Sequence, residues 1–126
     1  MVDIGTEVTR RAVLEHLDAF NNHDTAAVQR GLAADVVWAT GTSLYRGRGS
    51  LAAVFDDWLW SLTPHLEVTR LIANGPEAAL ECIETMVVEG THTAFSIAVF
   101  FVVRDGLLKS VKVYREGSAD VTTSAG

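Results

Sequence analysis

The sequence predicts an α+β domain in which three N-terminal helices pack on one face of a curved, mostly antiparallel sheet. Apolar residues recur at helical spacing only in the first half of the chain. The second half is rich in β-branched and aromatic residues between turn signals. The two patterns follow one another instead of interleaving, which separates helices from strands.

Val13, Leu17 and Phe20 place a first helix between Thr6 and about Asn21. Asn22-His23-Asp24 breaks the pattern, and Asp24 is suited to cap a short second helix running through Leu32. Val36 to Ala39 reads as a short strand, and Gly41 to Gly49 as a loop. Ser50 then caps a third helix. Its Leu51, Val54, Phe55, Trp58, Leu59 and Leu62 form one apolar stripe, so Trp58 is expected in the core. Thr63-Pro64 ends that helix. Trp60 falls off the stripe and reads as a pocket lid or a subunit contact. Strands follow over His65 to Ala73, Ala78 to Val88, Thr93 to Val103 and Leu107 to Arg115. Asn74-Gly75-Pro76, Glu89 to His92 and Arg104-Asp105-Gly106 turn between them.

The chain of 126 residues suits one domain, with a structured core over about residues 6–117 and a small, polar tail over 118–126 that is expected to fray. An apolar content of 48% excludes disorder of the whole chain. The single cysteine, Cys82, excludes an internal disulfide framework. A net charge of −6 leaves no basic surplus for nucleic acid or an anionic membrane. The apolar run from Ala94 to Val103 is shorter than the ~18 residues of a membrane span. The N-terminus lacks a basic-then-apolar leader, so the expected location is cytoplasmic.

Several local pieces resemble the nuclear transport factor 2-like superfamily, the cystatin-like cone. Asn22-His23-Asp24 with Ala26, Val28 and Leu32 is similar to its helix break. Ala34-Asp35-Val36-Val37-Trp38 resembles its first strand, and Tyr45-Arg46-Gly47 its third helix start. Asp105-Gly106-Leu107 with Val111-Lys112-Val113-Tyr114 resembles its last hairpin. Within it the chain looks like the SnoaL-like polyketide cyclases, the ketosteroid isomerases and the limonene-epoxide hydrolases. The resemblance implies helices and a concave sheet enclosing an apolar pocket, no cofactor, and a homodimer through the outer sheet face. It also sets departures. The isomerase tyrosine position holds His16, its general-base position Trp38 or Ala39, and its second aspartate falls near Ala98. The hydrolase carboxylate matches Glu84, but its arginine position holds Cys82 and its last aspartate position falls near Val113.

Glu84 and His16 are the candidate catalytic residues. Strand alternation puts Cys82, Glu84 and Met86 on one face, which the resemblance turns inward. A carboxylate among apolar side chains is desolvated, which raises its pKa toward that of a working general acid or base, unless Arg115 pairs with it. His16 shares the helix face of Val13, Leu17 and Phe20, where it suits a proton shuttle or hydrogen-bond donor, or else a plain core histidine. Phe20, Trp38, Trp58, Met86, Ala98, Phe100, Val113 and Arg115 are the expected substrate-binding residues for a small apolar molecule. His23, His65 and His92 lack metal-ligand spacing, so no metal is assigned. Cys82 reads as a buried, inert thiol. No glycine-rich phosphate loop is present.

These features leave three functions. One is a cofactor-independent isomerase, cyclase or hydrolase. The second is a non-catalytic binder of an apolar ligand. The third is an assembly protein with a filled cavity.

Overall fold

A computed structural model describes residues 3–115, so the expected tail over 118–126 lies outside the described residues. The chain runs α1 (Ile4–Asn21), α2 (Thr25–Arg30), β1 (Leu32–Thr40), β2 (Ser43–Arg46) and α3 (Arg48–Val54). A π-helical turn (Phe55–Leu59) and a 3₁₀ turn (Trp60–Leu62) extend α3. Then come β3 (His65–Asn74), β4 (Glu77–Val88), β5 (Thr91–Arg104) and β6 (Leu107–Arg115). The helices cover one face of a six-stranded sheet ordered β2-β1-β6-β5-β4-β3.

Local chemistry sets the element ends. The Asp3 carboxylate caps α1 by accepting from the Gly5 amide, and Asp24 caps α2 by accepting from the Ala27 amide. Two side-chain clamps dock α1 on the β3 side of the sheet. Asn21 both donates to the Leu66 carbonyl and accepts from the Leu66 amide, at 3.0 and 2.8 Å. Thr9 donates to the Gly75 carbonyl, and the Gly75 amide donates to Thr6. The β4–β5 and β5–β6 hairpins turn on Glu89-Gly90 and Asp105-Gly106. All four residues have positive φ, the condition of a two-residue turn matched to strand twist.

The N-terminal half departs from expectation in four places. α2 stops at Arg30, and Leu32 already belongs to β1, because the Gly31 carbonyl is taken by the Leu108 amide of β6. β1 therefore pairs parallel with β6, while the remaining pairings are antiparallel. The glycine-bearing loop contains β2, a short and largely exposed edge strand with little apolar signal to announce it. Ser50 does not cap α3. Gly47 occupies that position with φ 86°, and the Ser50 hydroxyl donates to the Arg46 carbonyl.

The fourth departure concerns the tryptophans. The Trp60 amide donates to the Phe55 carbonyl five residues back, so one turn holds an extra residue. The stripe residues Trp58, Leu59 and Leu62 still face the interior. Trp58 is left 49% exposed, and the Trp60 ring stacks on Phe55 at 4.9 Å and meets Phe20 edge-on at 5.2 Å. Trp60 is thus not a pocket lid, since it stays outside the lining of the interior. It packs against the core, and its indole N–H donates to Thr25.

Candidate functional site

Between the sheet and the helices lies a cavity of about 410 Å³. Its walls come from the inward face of each strand and from the α3 stripe, which does face inward as the spacing predicts. A cavity of this size lies within the range of small-molecule sites.

β4 places its side chains as expected: Ala78, Leu80, Cys82, Glu84 and Met86 are buried. Leu80, Glu84 and Met86 reach the cavity. β5 runs in the opposite phase from the expected one. Glu84 pairs with Phe95, Leu80 with Val99 and Ala78 with Phe101, and directly paired residues share a face. Phe95, Ile97, Val99 and Phe101 therefore line the cavity. Ala98 and Phe100 face the other way, with Phe100 54% exposed, so both leave the substrate-binding set. Phe20, Trp38, Trp58, Val113 and Arg115 do line the cavity, Trp58 as a half-exposed wall.

Two polar features stand in this apolar enclosure. The first is an ion pair. Arg115 donates from Nη2 and Nε to Oε1 of Glu84, at 2.7 and 3.1 Å, and from Nη1 to the Thr40 hydroxyl at 3.0 Å. The Glu84 side chain is 5% exposed and that of Arg115 37%, so the carboxylate is inside and the guanidinium sits at the edge. The competing arrangement foreseen for Glu84 is the one present. β6 brings Arg115 level with Ile97, one inward-facing position from the Glu84–Phe95 pair.

The second feature is His16, buried on α1 among Phe20, Trp38 and Phe101, with ring centroids 6.2, 5.5 and 6.0 Å away. Its Nδ1 has no hydrogen-bond partner among the described residues. Burial pushes its pKa down to about 4, so the imidazole is neutral at pH 7. The alternative of a core histidine satisfied by a backbone carbonyl does not describe this nitrogen.

Cys82 is buried, and its thiol is pushed up to about 12, first by burial and then by the charges of Glu84 and Glu81. A thiol held protonated is a poor nucleophile. Among the described residues no group of three or more His, Cys, Asp or Glu is placed to hold a metal ion. None of their helices is long and apolar enough to cross a membrane. Sequence reasoning missed Thr40, Tyr45, Phe95 and the inward β5 residues, which become visible only with strand register.

Helices packed on one face of a six-stranded mixed sheet, with a cavity between them, match the nuclear transport factor 2-like cone fold. Residues 13–111 match the SnoaL-like domain, and the chain belongs to that family. Solved structures agree. A candidate ketosteroid isomerase from Kribbella flavida is 26% identical, with a TM-score of 0.79 over 94% of this chain and 85% of that one. An LEH-like epoxide hydrolase from M. tuberculosis is 24% identical, with a TM-score of 0.81 over 88% and 84%. A candidate polyketide cyclase from Xanthomonas campestris is 23% identical, with a TM-score of 0.82 over 89% and 93%. No curated protein matches the chain.

Proposed function

We propose that this protein is a cofactor-independent enzyme that moves a proton on a small, mostly apolar molecule, of the isomerase, cyclase or hydrolase kind. The observation that carries this reading is the Glu84 carboxylate, 5% exposed and open to an apolar cavity of about 410 Å³. A purely apolar lining would favour a carrier, and a filled interior would favour an assembly protein. Here Glu84 is the base, and Arg115 holds the carboxylate in place through Oε1. Carboxylate bases gain from fixed geometry in a site that excludes water. The pairing itself favours the second reading, a binder without turnover, in which the ion pair only closes the cavity mouth.

Nitrobenzisoxazole separates the two. A base removes its ring C–H proton, the C–H electron pair forms the nitrile as the N–O bond breaks, and the oxygen leaves as a coloured phenolate. The enzyme reading expects the rate to exceed that of acetate at equal concentration, with Glu84→Gln losing the excess while the cavity still binds an apolar dye. A wild-type rate equal to that of acetate would leave the binder as the correct reading.

The second sheet face gives the expected partner. Phe100, Val102 and Tyr114 are 54%, 37% and 47% exposed on the side away from the helices. An apolar face of an antiparallel sheet calls for a cover. The cover proposed is a second copy of the chain, and sedimentation at micromolar concentration decides: a single species at monomer mass removes it.

A further inference from the structure

Thr40 bears on how the buried carboxylate is aimed. β1 and β6 run parallel and end side by side, on Thr40 and Arg115. Thr40 pairs with Val113, so Arg115 stands two residues further along the same inward face. From there the guanidinium sets three nitrogens on two partners. Nε and Nη2 donate to Oε1 of Glu84, and Nη1 donates to the Thr40 hydroxyl at 3.0 Å.

Burial does not account for the Thr40 bond. The Arg115 side chain is 37% exposed, so water can serve Nη1 in place of the hydroxyl. What a fixed hydroxyl adds is direction. A long side chain at a cavity edge gives up much rotamer freedom when it is held. A planar fork anchored at both ends cannot swing out to solvent, or turn about its Nε–Cζ bond, without breaking a hydrogen bond.

The consequence falls on the other carboxylate oxygen. Arg115 uses Oε1 alone, and Oε2 has no hydrogen-bond partner among the described residues. Nδ1 of His16 is unbonded and also sealed from water, whereas Oε2 is unbonded but not sealed, and Glu84 lines the cavity.

From this chain of bonds we infer that Thr40 is a positioning residue: its hydroxyl orients Arg115, Arg115 engages Oε1, and Oε2 is left as the oxygen that meets the ligand. The inference rests on the reading of Glu84 as the base. The C–H proton of the ligand passes to Oε2, and the electron pair of that bond stays with the ligand. Thr40 acts through Arg115, by fixing where Oε2 points before the ligand arrives.

Thr40→Val removes the hydroxyl and keeps the branched shape, and Thr40→Ser keeps the hydroxyl. With nitrobenzisoxazole, Thr40→Val should lower kcat about tenfold, the upper end of one hydrogen bond's net worth, with KM within about twofold of wild type. Thr40→Ser should keep most of the wild-type rate. Nitrogen NMR of the Arg115 side chain gives a readout that needs neither a variant nor turnover. In the wild-type chain Nη1 and Nη2 should give separate signals, because different partners hold them, whereas a free guanidinium averages the two by rotation. Averaged signals in wild type, an unchanged kcat in Thr40→Val, or a Thr40→Ser rate as low as that of Thr40→Val would overturn the inference and leave Glu84 standing as the base. A wild-type rate no greater than that of acetate would overturn both.

Discussion

The two ends of the cavity treat a buried titratable group in opposite ways. At one end Glu84 is surrounded by apolar wall but satisfied, since Arg115 and Thr40 complete a short chain of charge-assisted hydrogen bonds. At the other end His16 is equally enclosed, yet its Nδ1 is bonded to nothing among the described residues. A satisfied buried charge holds the wall together. An unsatisfied neutral ring lowers stability slightly.

Removing the partner at the satisfied end should give the largest effect. Arg115→Met leaves the Glu84 carboxylate buried alone and should cost about 3 kcal/mol, the low end for a broken buried pair because the guanidinium is partly exposed. Chemical denaturation at pH 7 measures it, and a loss below about 1 kcal/mol would mean the pair does not hold the wall.

Acid should weaken the other end by a similar amount. Burial keeps the folded imidazole at about 4, below its ordinary 6.5, so between these values the unfolded chain binds the extra proton. The His16 contribution to stability is complete above pH 6.5 and falls by about 3 kcal/mol as pH drops to 4. His16→Leu should flatten this part of the stability curve. Parallel curves for the two proteins would show that His16 is not buried as described.

Between the two ends stands the aromatic wall, and its two tryptophans should differ. Trp60→Ala should cost about 2–3 kcal/mol, since its ring packs against Phe20 and Phe55. Trp58→Ala should cost less than about 1 kcal/mol, since half of that side chain is already exposed. Equal melting shifts would deny the π turn its effect. His16→Leu itself is the smallest change. It should stay within about 1 kcal/mol of wild type at pH 7, because an apolar replacement removes an unbonded polar atom.

Sequence reached these regions unevenly, for physical reasons. The phase of β4 was legible because Glu81 and Glu84 fall on opposite faces and the family likeness chose one. β5 offered no such mark: Ile97, Val99 and Phe101 are as apolar as Ala98, Phe100 and Val102, so only pairing with β4 decides which set faces in. Arg115 was named as the one competitor for Glu84, since a cation on the inward parity of β6 is plain in the sequence. The π turn was not readable, because helical spacing assumes a constant turn and the extra residue after Phe55 has no composition signal. The orphaned Nδ1 of His16 belongs to three-dimensional packing. Its helix face was foreseen, but its lack of a partner was not.

A nitrogen NMR titration of the His16 ring in the wild-type chain tests the contrast between the two groups most directly. The expected midpoint is about 4, well below the ordinary 6.5, because the ring is buried without a partner for Nδ1 among the described residues. A midpoint at or above 6.5 would contradict it.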